Sequence, residues 1–486
     1  MSGTIRLEKL GIPGIFLVAK GFEHDAEASA IDHGMPTVRR VLIPGFVWGQ
    51  PGEEKIPLAK ASFDAMIDAL TRPLTPEESK PKPILKEVLE KTIRIPAESY
   101  EAAVEKFNQL FIESHWGDGL PLIPPTKEAV KWMLTGTSRS PEEVIGKVAT
   151  KNGTATIEKI AINAVMAGAK PEHLPVIISA MEGLTDKDYD LLHVQASMGN
   201  FNIAVIATGP IAEEIGMNSS TGFLGYGWRA NNTIGRAVRL CLINLGHMWP
   251  GLNDMARFGR LSSHTLFTFA ENQKFSPWPP YHVPQGFKPE DSCVTVSTIG
   301  CYGRYPVTAL AEVGSTAEAG LKSMIESIIS QRKAVFARYK PGVADPYAAP
   351  CKYIFLIPPE LARGYQKQGF TRESLREYIY EKTCVPYEEL SPEEIKGIKA
   401  KIEVSIEGKG QHTGRIPPDL ISVFQEALKP GGKVPVLITS KDIHLIVVGY
   451  PVGGQIIMMS YHRAPYKWEA HQTKLIRGAT LTKAGR

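Results

Sequence analysis

The alternation of short apolar runs with helical periodicity over the first seventy or so residues constrains the fold more than any other feature. Gly14 to Val18 reads as a β-run, Glu23 to Ile31 as a helix, Val38 to Leu42 as a second strand and Leu58 to Leu70 as an amphipathic helix. Strands joined through helices pair in parallel, and a parallel sheet is covered on both faces. One β-α-β-α unit is too small to supply that cover. The sheet is therefore expected to be completed elsewhere in this chain or by another chain. The stretch TRPLTPEESKPKP that follows is rich in proline and charge, the composition of a linker.

Beyond the linker, helices are expected at Tyr100 to Ser114, Lys127 to Leu134, Ile157 to Ala167, Leu174 to Glu182 and Ala317 to Ala337, with strands at Asn202 to Thr208 and Cys293 to Ser297. The last third offers strands at Tyr353 to Ile357, Val434 to Ile438, Ile443 to Val448 and Gln455 to Ser460. Helical segments at Arg372 to Glu381, Pro392 to Ile402 and Pro418 to Leu428 lie among them. The fold class is α/β and multi-domain. The expected division is an incomplete N-terminal β-α-β-α unit at 1–75, a linker at 76–95, a large central substrate-binding α/β domain at 96–340 and a C-terminal α/β segment at 341–486.

A chain of 486 residues with 43% hydrophobic and 22% charged side chains belongs with globular proteins. Its net charge of +4, from 55 basic and 51 acidic side chains spread along the chain, argues against a nucleic-acid binder. The cysteines Cys241, Cys293, Cys301, Cys351 and Cys384 have no CxxC spacing, which fits a reducing cytoplasm and gives no zinc knuckle or dithiol. The apolar run Ile15 to Ala19 is too short for a membrane span and reads as a buried strand.

Four stretches can carry chemistry. In TGFLGYGWRANNTIGRAVRL, Thr221 to Leu240, Gly222, Gly225 and Gly227 permit unusual backbone conformations before a helix that Asn232 or Thr233 can cap. With Arg229, Asn231 and Arg236 beside that helix start, a small carboxylate or phosphate is the expected guest, while a tight turn with surface arginines is the plain alternative. In HWGDGLPLIPPT, Asp118 sits between glycines ahead of a rigid proline turn, as a substrate-positioning carboxylate or as a turn cap. In TIEKIAINAVMAG, Glu158 and Asn163 fall off the apolar face of a helix packed with small residues; Glu158 would be an acid or base if buried, Asn163 is a candidate substrate contact, and a solvent-facing Glu158 is the alternative. AENQKFSPWPP gathers Glu271, Asn272, Ser276 and Trp278 into an extended segment suited to a ligand wall or to an ordinary surface loop. His193, His247, His264 and His282 show no metal-ligand spacing, so a metal is a minor expectation. Cys301 is a nucleophile only if a helix end or Arg304 lowers its pKa. GxSxG, Walker A and GxGxxG are all absent, leaving no nucleotide or dinucleotide fingerprint and the cofactor unknown.

These stretches together carry a resemblance. DGLPLIPPT, TIEKIAINAVMAGAKPEHLPV, GWRANNTIGRAVRL and ENQKFSPWPP resemble the domain that accompanies the UGSC-type (seleno)proteins, named for a Gly-Ser-Cys motif with selenocysteine or cysteine. GIPGIFLVAKGFEHDAEASA with RRVLIPGFVWG is similar to the second half of the UGSC domain itself and, more distantly, to the C-terminal part of glycine and proline reductase selenoprotein subunits. No Cys-Gly-Ser-Cys occurs in this chain. The resemblance thus implies the large subunit of a cytoplasmic hetero-oligomeric enzyme. A thiol or selenol on a second chain would cleave a small anionic substrate by a reductive or lyase-type reaction. Arg229, Asn231 and Arg236 would then hold the anion and Glu158 or Glu271 move a proton. The alternatives are a self-contained hydratase, lyase or hydrolase using carboxylate and histidine acid–base chemistry, with or without a metal, and a non-catalytic assembly subunit.

Overall fold

The computed structural model describes residues 2–32, 34–45, 52–79, 92–260, 262, 264–306, 316–332, 336, 351–407, 416, 418–451, 455–462 and 471–480. In chain order its strands are β1 (Phe16–Ala19), β2 (Arg40–Ile43), β3 (Val144–Val148), β4 (Gly153–Thr156), β5 (Asn202–Thr208), β6 (Phe267–Ala270) and β7 (Cys293–Ile299). There follow β8 (Cys301–Pro306), β9 (Cys351–Ile357), β10 (Cys384–Pro386), β11 (Lys433–Pro435), β12 (Ile443–Val447), β13 (Gln455–His462) and β14 (His471–Leu475).

In the N-terminal unit β1 and β2 pair in parallel, with Leu17 opposite Val41 and Val18 opposite Leu42. Helix Glu23–Asp32 connects them and helix Gly52–Thr71 follows. Val18 and Val41 are buried, whereas Leu17 and Leu42 are 46% and 49% exposed. Partners in register share a face, so each face of this two-stranded ribbon carries one covered and one bare aliphatic side chain. The expectation of a fully buried first strand is corrected accordingly.

The body of the molecule is built on two four-stranded sheets, ordered β14-β7-β5-β6 and β12-β9-β13-β8. They stack face to face. Ala204, Ile206, Phe269 and Ile299 of the first sheet meet Ile354, Leu356, Ile446 and Met459 of the second in one apolar cluster. Alternate residues point the other way: Ile203, Val205 and Val296 pack against helices Ile157–Met166, Leu174–Leu184 and Arg229–Asn244. On the far side Tyr353, Phe355, Leu445 and Met458 pack with the elements around helices Thr316–Ile329, Pro359–Lys367 and Arg372–Thr383. The result is a multi-domain α/β protein whose body has helix, sheet, sheet and helix layers. Cover on both faces explains why all seven residues of β5 are buried.

The chain passes from one sheet to the other twice. β7 runs into β8 at Gly300, whose N–H donates to Ser460 O at 2.8 Å, and β13 lies in the second sheet while β14 returns to the first. Residue 340 is consequently not a clean border. β8 and helix Thr316–Ile329 belong with the C-terminal layers, and β14 belongs with the central sheet.

Candidate active-site cleft

The two sheets do not fill the space between them at the border formed by their edge strands β12 and β14. Alternation along β12 puts His444 on the side of Ile446, toward the first sheet. The pairing of β14 with β7 sets His471 opposite Ser297. Tyr281, from the segment after β6, reaches between them: its hydroxyl lies 2.7 Å from His444 Nδ1 and 2.9 Å from His471 Nε2. His471 Nδ1 lies 3.1 Å from Ser297 Oγ, and the two imidazoles stack at 4.0 Å.

One consistent proton assignment has His444 Nδ1–H donating to Tyr281, Tyr281 O–H donating to His471 Nε2, and His471 Nδ1–H donating to Ser297. His444 Nε2 is then a bare lone pair. Moving each proton one step reverses every donor, and His444 Nε2 then carries a proton. That nitrogen is covered and has no partner among the described residues. Burial, then His471, Lys352 and Arg376 beside it, holds the His444 pKa well below the usual histidine range. Burial and Lys352 bring His471 down to about 3, while burial pushes the Tyr281 phenol up despite Arg372 nearby. Both rings are neutral near pH 7.

The ring pair borders a cleft of about 380 Å³ whose lining includes Lys352, Arg372, Arg376, Lys441 and Asp442. Arg372 is held from behind. Its Nη2 donates to Glu271 Oε1 at 2.6 Å, the other Glu271 oxygen accepts from Tyr281 N at 2.8 Å, and its guanidinium lies 5.7 Å from the Trp278 ring and 5.6 Å from the Tyr281 ring. Glu271 and Trp278 thus stand behind the lining of the cleft as supports for Arg372. Asn272 instead donates to Gly449 O at 3.0 Å, and Ser276 accepts from Trp278 N at 3.2 Å, so both shape the segment.

The other expected site residues lie elsewhere. Arg236 grips Asp118 through Nε at 2.7 Å and Nη2 at 2.9 Å and also donates to Leu120 O and Pro121 O. Burial raises the Asp118 carboxyl, yet Arg236 outweighs it and leaves the pKa below the ordinary value. This pair pins the HWGDGLPLIPPT turn to helix Arg229–Asn244; the two residues hold each other rather than a shared ligand. The helix begins at Arg229 with Trp228 as its N-cap, four and five residues before the expected caps Asn232 and Thr233, which lie in its first turns. Thr233 Oγ1 donates to Arg229 O at 2.8 Å, Asn232 is half-buried, and Arg229 donates to Gly168 O at 3.0 and 3.2 Å. Asn231 is buried and bonds Asn218, Phe223 O and Thr268 O, fastening the loop from inside. Gly222 and Gly227 do take positive φ, 68° and 91°. Glu158 is exposed, which corrects the buried acid or base, and Asn163 is a buried strut accepting from Asn244 at 2.6 Å.

His282 is a satisfied core histidine between Thr208 Oγ1 and Lys288 O, each at 2.8 Å. Burial raises the thiols of Cys241, Cys293 and Cys384, the latter two to about 12 and about 11, so none of these is a ready thiolate. The side chain of Cys301 lies outside the described residues. Among the described residues no group of three or more His, Cys, Asp and Glu is placed to hold a metal ion, and no helix is long and apolar enough to cross a membrane.

Fold and cleft together define a multi-domain α/β protein with a histidine–tyrosine–histidine chain at the border of stacked sheets. The UGSC family model matches residues 1–72, the N-terminal unit, in agreement with the resemblance drawn from GIPGIFLVAKG and RRVLIPGFVWG. That match does not extend to the glycine reductase subunits or to the central region. No curated protein and no solved structure matches the chain.

Proposed function

We propose that this chain is an enzyme that moves a proton on a small anionic substrate in the cleft between β12 and β14, in a lyase- or hydratase-type reaction. The observation that carries this reading is the chain Ser297, His471, Tyr281, His444, which ends on an unpartnered nitrogen beside a cationic cavity. In the elimination direction His444 Nε2 takes a proton from a substrate carbon, and the C–H electron pair expels the leaving group as an anion that takes up a proton from solvent, while the abstracted proton is later returned from the relay to solvent. The Nδ1 proton of His444 passes to Tyr281 as the phenolic proton passes to His471. His471 becomes an imidazolium that still donates to Ser297, so the positive charge ends away from the substrate. Addition of water runs the same steps backward. Lone histidines at their depressed pKa values would be weak bases, and sharing the proton over two rings offsets that weakness.

The test is solvent-proton exchange into small carboxylates and phosphate esters, followed by NMR in D2O. Wild-type chain should exchange one substrate C–H, and Tyr281→Phe or His444→Gln should slow it about a hundredfold or more while circular dichroism is unchanged. Equal exchange in all three proteins would dismiss the relay.

A second reading has support from a different observation, the half-covered β1–β2 ribbon with bare Leu17 and Leu42. A separate chain that adds strands there and brings a thiol or selenol would make this the large subunit of a cytoplasmic hetero-oligomer catalysing reductive or lyase-type cleavage. Co-purification from the native cell tests it. A chain isolated alone as a stable, active monomer removes this reading and leaves the first intact.

A further inference from the structure

Arg372 and Arg376 lie one turn apart on helix Arg372–Thr383 and both line the cleft. Arg372 is 5% exposed, and only its Nη2 is engaged, by Glu271. Its Nε and Nη1 are covered and without partners among the described residues, and so is Nε of Arg376, whose nearest carboxylate contact is a long 3.9 Å to Glu377. A covered N–H without an acceptor costs about 1–3 kcal/mol, more on a charged group. Three such donors along one wall are tolerated where something accepts from them. The lining charges agree: Lys352, Arg372, Arg376 and Lys441 face Glu373 and Asp442, four cations less two acids, and counting Glu271 behind Arg372 still leaves an excess of one.

We infer that Arg372 and Arg376 form a preorganised subsite for one oxyanionic group of the substrate, a carboxylate or a phosphate, which places the neighbouring carbon against His444. This deepens the reading of the cleft as the active site and rests on it. Glu271 is the positioning residue. It holds the guanidinium beside Trp278 and Tyr281 and so fixes the plane of the remaining N–H groups of a residue that lines the cavity. A cavity of about 380 Å³ sits at the small end of ligand sites, which favours a compact acid over a dinucleotide. An anion bound there also offsets Arg376, one of the charges that suppress protonation of His444, so binding makes His444 a stronger base.

Titration calorimetry on the full chain with inorganic phosphate, with malonate and with uncharged malonamide tests the subsite. One of the two anions should bind at a single site and malonamide should not. Phosphate alone points to a phosphate ester, malonate alone to a carboxylate. Arg376→Gln, at a partly exposed position, should weaken that anion about tenfold or more, and so should Arg372→Lys, which keeps the charge opposite Glu271 but loses the planar donors. His444→Gln should bind the anion as wild type does while losing proton exchange, so failure of the subsite and failure of the relay give different results. Absence of binding by both anions, or unchanged affinity in a folded Arg376→Gln protein, overturns the inference.

Discussion

A histidine buried in neutral form makes folding pH-dependent, and this chain carries several. Burial brings His173, which is 2% exposed, down to about 4 and His471 to about 3, against an ordinary value near 6.5. Between the folded and unfolded values the unfolded chain holds the extra proton, so stability is complete above pH 6.5 and falls as the pH drops toward 4. Each histidine contributes a slope of about 1.4 kcal/mol per pH unit in that window. Urea unfolding at pH 7 and pH 5 should show the loss, and His173→Gln should flatten the dependence; a profile level from pH 7 to 5 would contradict burial of neutral rings. Asp118 has the opposite partner and a different consequence. Asp118→Asn removes a two-point charged contact with Arg236 and should cost about 1–3 kcal/mol in denaturant unfolding while leaving proton exchange in the cleft unaltered.

The elements hold their places through close backbone approach and through the layer between the sheets. A Cβ at Gly235 would stand 1.7 Å from Thr265 O, so helix Arg229–Asn244 lies on the lead into β6 without room for a methyl group. Gly235→Ala should cost about 3 kcal/mol or more, seen as a lowered midpoint in thermal unfolding. Leu356 is 1% exposed in the inter-sheet cluster, and Leu356→Ala should cost about 2–5 kcal/mol. Because β7–β8 and β13–β14 run through both sheets, that loss should appear as one transition for the whole body; two separate transitions would show the sheets to be independent. At this scale the sequence was legible where apolar periodicity was strong. β5 and helix Lys127–Leu134 match their expected bounds, and β12 and helix Arg372–Thr383 nearly so. β6 with four residues and β14, HQTKL, with hardly an apolar side chain, have no pattern to read, and β14 brings His471.

For the whole molecule, the incompletely covered part is the N-terminal ribbon. Leu17 and Leu42, 46% and 49% exposed, leave apolar surface on a two-stranded sheet, which is marginal by itself, and Phe63 on helix Gly52–Thr71 adds more at 58% exposed. Sedimentation of the purified chain should show association, reduced by Leu17→Lys with Leu42→Lys while the cleft keeps its anion affinity. A monomer at all concentrations, with no partner recovered from the native cell, would show that this surface is tolerated bare.

Local periodicity by itself determined that the chain is α/β, where most long elements lie, and that the first unit is incomplete, because helices and covered strands print their period in neighbouring residues. It also singled out Glu271 and Trp278, though as a proton carrier and a ligand contact rather than as supports for Arg372. Only the tertiary structure decided the site. Tyr281, Arg372, His444 and His471 come from separate stretches with no shared spacing, and they meet because two edge strands of stacked sheets end at one border. The glycine-rich stretch at the start of helix Arg229–Asn244, for all its polar residues, spends them inside the protein, Asn231 on Asn218 O, Phe223 O and Thr268 O, Arg229 on Gly168 O and Arg236 on Asp118, since a stretch packed that closely must satisfy its buried polar groups before it can offer any to a ligand.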